Sequence, residues 1–132
     1  MKNSVLFIDD SDNANKFIEL FISVKRLPII PKFIKNALKG LEYLGNCTQD
    51  EFPDIIIVDI NMPTMNGFEF IDVYKDRFYD TFPNTKLFIT SSSNNKKDIK
   101  KAEDNPIIEG FIEKPLSLSQ FDILIKPHLS AA

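Results

Sequence analysis

Short apolar runs alternate with amphipathic stretches along the whole chain. Five runs read as strands, near residues 4–8, 29–33, 55–58, 86–90 and 109–113. Ile55, Ile56, Ile57 and Val58 leave no polar position, which is the pattern of a strand covered on both faces of a parallel sheet. Between the runs the apolar spacing changes to that of a helix. Ala14, Phe17, Ile18 and Phe21 follow i, i+3, i+4, i+7, with Ser11 or Asp12 as N-cap. Ile34, Ala37, Leu38 and Leu41 repeat the spacing, and Phe70, Ile71, Tyr74 and Phe78 mark a third helix. Leu118, Phe121, Leu124 and Ile125 mark a last one, capped by Ser117 and continuing to the end of the chain. Strand and helix in alternation predict an α/β fold, a parallel sheet wound on both faces by helices.

Two stretches depart from the regular pattern. Pro28 and Pro31 flank and enter the second strand, and proline cannot donate to a ladder, so that strand belongs at a sheet edge. Residues 94–105 offer only Ile99 and Ala102 as an apolar face, so a helix there is weakly anchored, and Asn105-Pro106 ends it. No repeat, linker or low-complexity stretch breaks the chain, and residues 1–132 are expected to form a single domain.

Composition narrows the possible functions. The chain has 132 residues, 43% hydrophobic and 27% charged, enough for one sizeable core. A net charge of −3 gives no reason to expect nucleic-acid binding. One cysteine, Cys47, and one histidine, His128, exclude a disulfide framework and a Cys/His zinc site within one chain. Cys47 is read as a small apolar filler. No apolar stretch reaches the roughly 20 residues of a membrane span. The first residues carry no cleavage pattern of a signal peptide, so a cytoplasmic location is expected.

The chemistry gathers at the ends of the strands. The first run ends in Asp9-Asp10, the third in Asp59, the fourth in Thr90, and the fifth in Lys114-Pro115. Taken singly, each has a plain structural explanation: an acidic turn, a capping Asp, a turn Thr, a solvated Lys. Taken together, they occupy one topological position, the carboxyl edge of a parallel sheet, where open α/β sheets bind ligands. Adjacent carboxylates at a strand end repel unless a cation compensates, and a hard cation such as Mg²⁺ takes oxygen ligands. Pro63 and Gly67 make a tight loop after Asp59, in which the Asn61 carbonyl could complete a metal site.

These motifs resemble the receiver domain of two-component response regulators, the CheY-like family. The resemblance covers essentially the whole chain. It rests on Asp9-Asp10, on Asp59 followed by Asn61-Met62-Pro63 and Gly67, on Thr90, and on Lys114-Pro115. It also extends to stand-alone receivers with a Ser-rich fourth loop and the ending Gly110 to Leu116. The resemblance implies a flavodoxin-like, five-stranded parallel sheet in the order 2-1-3-4-5. It makes Asp59 the acceptor of a phosphoryl group from a histidine kinase or phosphotransfer protein. Asp9, Asp10, Asp59 and the Asn61 carbonyl would hold Mg²⁺, with Asp9 acting mostly through water. Lys114 and Thr90 would bind phosphoryl oxygens. Thr90 and Phe111 would form a switch, changing the α4-β5-α5 surface read by a downstream protein. The chain would not be an enzyme beyond accepting and losing its own phosphoryl group. The Lys114–Pro115 peptide is expected to be cis.

One position departs from the family pattern. Many receivers carry an acid or amide two residues after the Thr; here it is Ser92, which with Asn61 flanks the route of a hydrolytic water. That leaves the lifetime of the phosphoryl group open. Among competing readings, a non-phosphorylated pseudo-receiver is disfavoured because every required side chain is present. A dehalogenase-type phosphatase would place its nucleophile after the first strand with a second acid two residues on, where Asp59 has Asn61. A flavin-binding protein would need a phosphate-cradling loop after the first strand.

Overall fold

The computed structural model describes residues 3–130. The strands are β1 (Ser4–Ile8), β2 (Ile30–Ile34), β3 (Ile55–Asp59), β4 (Lys86–Ser91) and β5 (Ile108–Glu113). They form one sheet in the order β2-β1-β3-β4-β5, with every neighbouring pair parallel. The strand carrying Pro31 is at the edge, as its missing donor requires.

Helices α1 (Asp12–Val24), α2 (Ala37–Asn46), α3 (Gly67–Arg77) and α4 (Lys96–Asp104) join the strands. Each begins at a side-chain cap: Ser11, Asn36, Asn66 and Asn95 accept from an N–H of the first turn. All five residues of β3 are buried. Its alternation divides the core in two. Ile56 and Val58 join the α2-α3-α4 side, while Ile55 and Ile57 join the side of α1 and the last helical segment.

Four expectations need correction. Ile34 ends β2 rather than opening α2, and Leu38 is 54% exposed, so the buried face of α2 is Ala37, Gly40, Leu41 and Leu44. In α1 the buried residue is Ile22, with Ala14, Ile18 and Phe21 half-buried; Phe17 stands 43% exposed. The inward stripe runs along i, i+4, i+8, which carries Phe17 to its flank. The last segment is not a regular helix. One turn, α5 (Leu118–Gln120), capped by Ser117, widens into a π turn over Phe121–Ile125 and tightens into a 3₁₀ turn over Lys126–His128. Pro127 lacks the N–H that a continuing helix would need, so the ladder is reset before it. At its end His128 packs edge-on against Phe88, with ring centroids 5.9 Å apart.

Helix α4 matches its reading: Ala102 is buried, Ile99 is half-buried beside half-buried Asp98, and the other residues are exposed. Cys47 is half-buried against the core beside Tyr43, and burial pushes its thiol upward in pKa. Tyr74 is fully buried, and burial pushes its pKa up to about 12, with the Thr85 side chain opposing the rise. Asn3 and Ser130 clasp the two ends of the described chain with two hydrogen bonds, of 3.1 and 2.7 Å. No helix among the described residues is long and apolar enough to cross a membrane.

Candidate functional site

Four parallel strands bring their last or next residues to one edge. β1 ends at Ile8, and Asp9 and Asp10 follow. Asp9 is buried and Asp10 is exposed. The Asp9 backbone is fixed on both sides: its N–H donates to the Ile34 carbonyl, and its carbonyl accepts from the Asn15 amide at 3.0 Å. One carboxylate oxygen of Asp9 accepts from the Ser11 N–H at 2.9 Å, and the other pairs with the Lys114 ammonium.

Asp59 ends β3 and is only 5% exposed. Its Oδ1 accepts from the Asn61 N–H at 3.3 Å, and its Oδ2 lies 3.4 Å from Lys114 Nζ. Burial raises the pKa of this carboxyl above its ordinary value. The Lys114 ammonium opposes that rise, the Asp9 carboxylate adds to it, and the Asn61 N–H opposes it again. The loop after Asp59 folds back tightly, with the Gly67 N–H donating to the Ile60 carbonyl. A Cβ at Gly67 would stand 2.6 Å from the Asp59 carbonyl oxygen, a backbone atom that cannot swing aside. Gly67→Ala is therefore expected to destabilise the protein by about 1–3 kcal/mol. A urea midpoint equal to that of the parent would contradict this.

β4 and β5 complete the cluster. A register shift between Leu87 and Phe88 sets Thr90 opposite Ile112 and Ser91 opposite Glu113. The Lys114 N–H then donates to the Ser91 carbonyl at 2.9 Å, which anchors the backbone of the cationic residue. The Lys114–Pro115 peptide is cis, as expected. Thr90 is buried, and its hydroxyl donates to the Ile112 carbonyl at 2.9 Å. Phe111, one residue earlier on β5, is half-buried and packs against the α2-α3-α4 side of the core.

The edge thus gathers Asp9, Asp10, Asp59, Asn61, Thr90 and Lys114. Oxygen atoms of the three acids all lie within 4.8 Å of one another. Two of these carboxylates are buried and share one ammonium, and Asp10 has no ion pair among the described residues. Such an oxygen-only, excess-anionic donor set fits a hard divalent cation such as Mg²⁺. Phe111 is the member placed away from the cluster, opposite Ile89 in the ladder and packed against the α2-α3-α4 side of the core.

Two contributors were missed. Ser92 is exposed, and the side chain that reaches Asn61 is its buried neighbour Ser91, whose hydroxyl accepts from the Asn61 amide at 3.3 Å. Asn15, which steadies Asp9, lies on α1. Strand alternation beyond Thr90 could have distinguished Ser91 from Ser92; nothing in the local pattern marks Asn15.

Comparison with known proteins agrees with this geometry. Residues 5–126 match the family model described as the response regulator receiver domain. The chain is 35% identical over 122 residues to the sensor histidine kinase CheAY of Helicobacter pylori, covering 92% of this chain and 14% of that protein. It is 30% identical to the two-component response regulator ARR6 of Arabidopsis thaliana, covering 87% of this chain and 63% of that protein. It therefore spans less than two thirds of either relative. Among solved structures, a two-component response regulator from Cytophaga hutchinsonii superposes with a TM-score of 0.82 at 29% identity, over 97% of this chain and 98% of the other.

Proposed function

This chain belongs to the response regulator receiver domain family of two-component signalling, and from that premise we propose that Asp59 accepts a phosphoryl group from a phosphohistidine. The donor would be a histidine kinase or phosphotransfer protein, and the reaction would take place in the cytoplasm. The observation that carries this reading is Asp59 itself, a buried carboxylate beside a cation and two further acids. In the transfer, a carboxylate oxygen of Asp59 attacks phosphorus. An O–P bond forms, the P–N bond breaks, and the electron pair leaves on the imidazole nitrogen, which takes a proton. Little covalent assistance is needed, because alignment and charge stabilisation supply most of the catalysis.

Asp9, Asp10, Asp59 and the Asn61 carbonyl are the groups that would hold Mg²⁺. When bound, the ion would offset charge on the phosphoryl oxygens and on the attacking carboxylate. Lys114 exchanges its contact with Asp59 for a phosphoryl oxygen. Thr90 turns its hydroxyl from the Ile112 carbonyl toward another. That movement would couple the site to α4, β5 with its Phe111, and the last helical segment, the surface read by a downstream protein. Helix α4, held by Ala102 and half-buried Ile99, costs little to shift. Beyond accepting and losing its own phosphoryl group, the chain needs no enzymatic activity.

Acetyl phosphate with Mg²⁺ is expected to add one phosphoryl group in intact-mass analysis. Asp10→Ala should lower Mg²⁺ affinity at least tenfold while the fold persists, since one of several crowded like charges is removed. Unchanged Mg²⁺ titration in that variant would refute the metal assignment. Beryllofluoride with Mg²⁺ should shift amide resonances from Asp59 through residues 90–114. Silence at residues 94–113 would remove the support for this output surface.

A further inference from the structure

An apolar cavity of about 240 Å³ opens between α1 and the sheet, beside the carboxylate cluster. Phe7, Ile57 and Ile112 form its floor, Ala14 and Ile18 its α1 wall, and Leu116 its far side. The void has a local cause. Ala14 presents only a methyl group, and Phe17, whose ring could have filled the space, is 43% exposed at the lip.

The lining decides what can enter. Water would find few partners among these side chains, and an engineered apolar cavity of about 150 Å³ stays dry and binds benzene. This cavity is larger than that, yet below the roughly 300 Å³ at which pockets for drug-sized ligands begin. Its occupant is therefore limited to one or two rings. Charge narrows the choice further. Asp9 and Lys114 both line the cavity, and the three clustered carboxylates outnumber the one ammonium, which disfavours an anion. The floor has no acceptor to receive a cation. We propose that this cavity is a binding site for a neutral aromatic molecule of one or two rings, adjoining the Asp59 site, with which it shares Asp9, Thr90 and Lys114.

The test uses the full chain and indole as probe. Indole should produce saturable amide shifts centred on Ala14, Ile18, Ile57, Ile112 and Leu116, and should raise the thermal midpoint as its concentration increases. Indole-3-acetate, which carries a negative charge, should bind at least tenfold more weakly. Ala14→Phe, which fills the cavity, should weaken indole binding at least tenfold; Ala14→Leu serves if the larger ring prevents folding. Ile123→Ala, on the exposed face of the last segment, should leave affinity unchanged. Absent or non-saturating shifts at millimolar indole would overturn the proposal, as would equal affinity in the filled variants. Shifts confined to exposed Leu20 and Val24 would mean surface adsorption and would also overturn it. The same residues shifting with protein concentration alone, together with dimers in sedimentation, would assign the cavity to a second copy's side chain instead.

Discussion

Replacing Asp59 by Asn is expected to abolish the one-phosphoryl adduct and, in metal-free buffer at neutral pH, to make the protein more stable. The first effect follows from the loss of the attacking oxyanion: an amide oxygen is too weak a nucleophile to take the phosphoryl group. The second follows from burial. Asp59 is 5% exposed, and Lys114 keeps its pairing with Asp9 when the Asp59 charge is gone. Removing one desolvated carboxylate should add about 1–2 kcal/mol. The sign follows from linkage. The folded-state pKa of Asp59 is raised above its ordinary value of 3.8, first by burial. Its contribution to stability is thus fully present below the unfolded value and is lost as pH rises through the folded value. The variant's advantage should be largest at pH 7 and shrink as pH falls toward 4. Urea titrations at several pH values would show it. A constant advantage at every pH would mean that the charge is not its source, and an adduct surviving on the variant would mean that the site is elsewhere.

Removing the counter-ion should act in the opposite direction. Lys114→Met keeps most of the side-chain volume but leaves Asp9 and Asp59 buried with no ammonium. Breaking a buried pair by deleting one partner costs about 3–5 kcal/mol. We expect a loss of about 3 kcal/mol in EDTA, seen as a lower urea midpoint with an unchanged slope. Millimolar Mg²⁺ should recover part of it, because the site would then hold another cation. If Lys114→Met and the parent unfold at the same urea concentration in EDTA, the ion pairs carry no net stability. Equal loss with and without Mg²⁺ would separate the acids from any metal.

Much of this was legible because the central strands β1, β3 and β4 are buried on both faces. A run such as Ile55, Ile56, Ile57 and Val58 admits no polar residue, so the end of each strand is marked by the first one that follows. The same marks locate Asp9, Asp59 and Thr90, whereas Lys114 follows the half-exposed β5, which carries Glu109 and Glu113, and was placed by the Lys114-Pro115 motif. The strand order, by contrast, came from resemblance, since short apolar runs do not encode which neighbour each selects. Helix faces were read less well. The exposed Phe17 fits a helical period as well as the buried Ile22 does, and only the angle at which α1 meets the sheet separates them. Ile34 was claimed by the wrong element because an apolar residue at a boundary fits either period. The broken last segment follows from Pro127, whose missing N–H the apolar spacing of Phe121, Leu124 and Ile125 does not register. The direction of the Thr90 hydroxyl depends on the strand across from it and could not be read from its own neighbourhood.

The pairing of β4 with β5 also has a consequence for how the protein is made. During synthesis the three carboxylates emerge with β1 and β3, whereas Lys114 follows β5, the last strand of the sheet. Until β5 docks, Asp9 and Asp59 face each other without their ammonium, and Thr90 lacks the carbonyl to which it donates. Parallel pairings of this kind close long loops and form slowly compared with local helix contacts. A nascent chain that has not yet docked β5 would therefore carry Asp59 without Lys114 beside it, so competence to receive a phosphoryl group should await that docking.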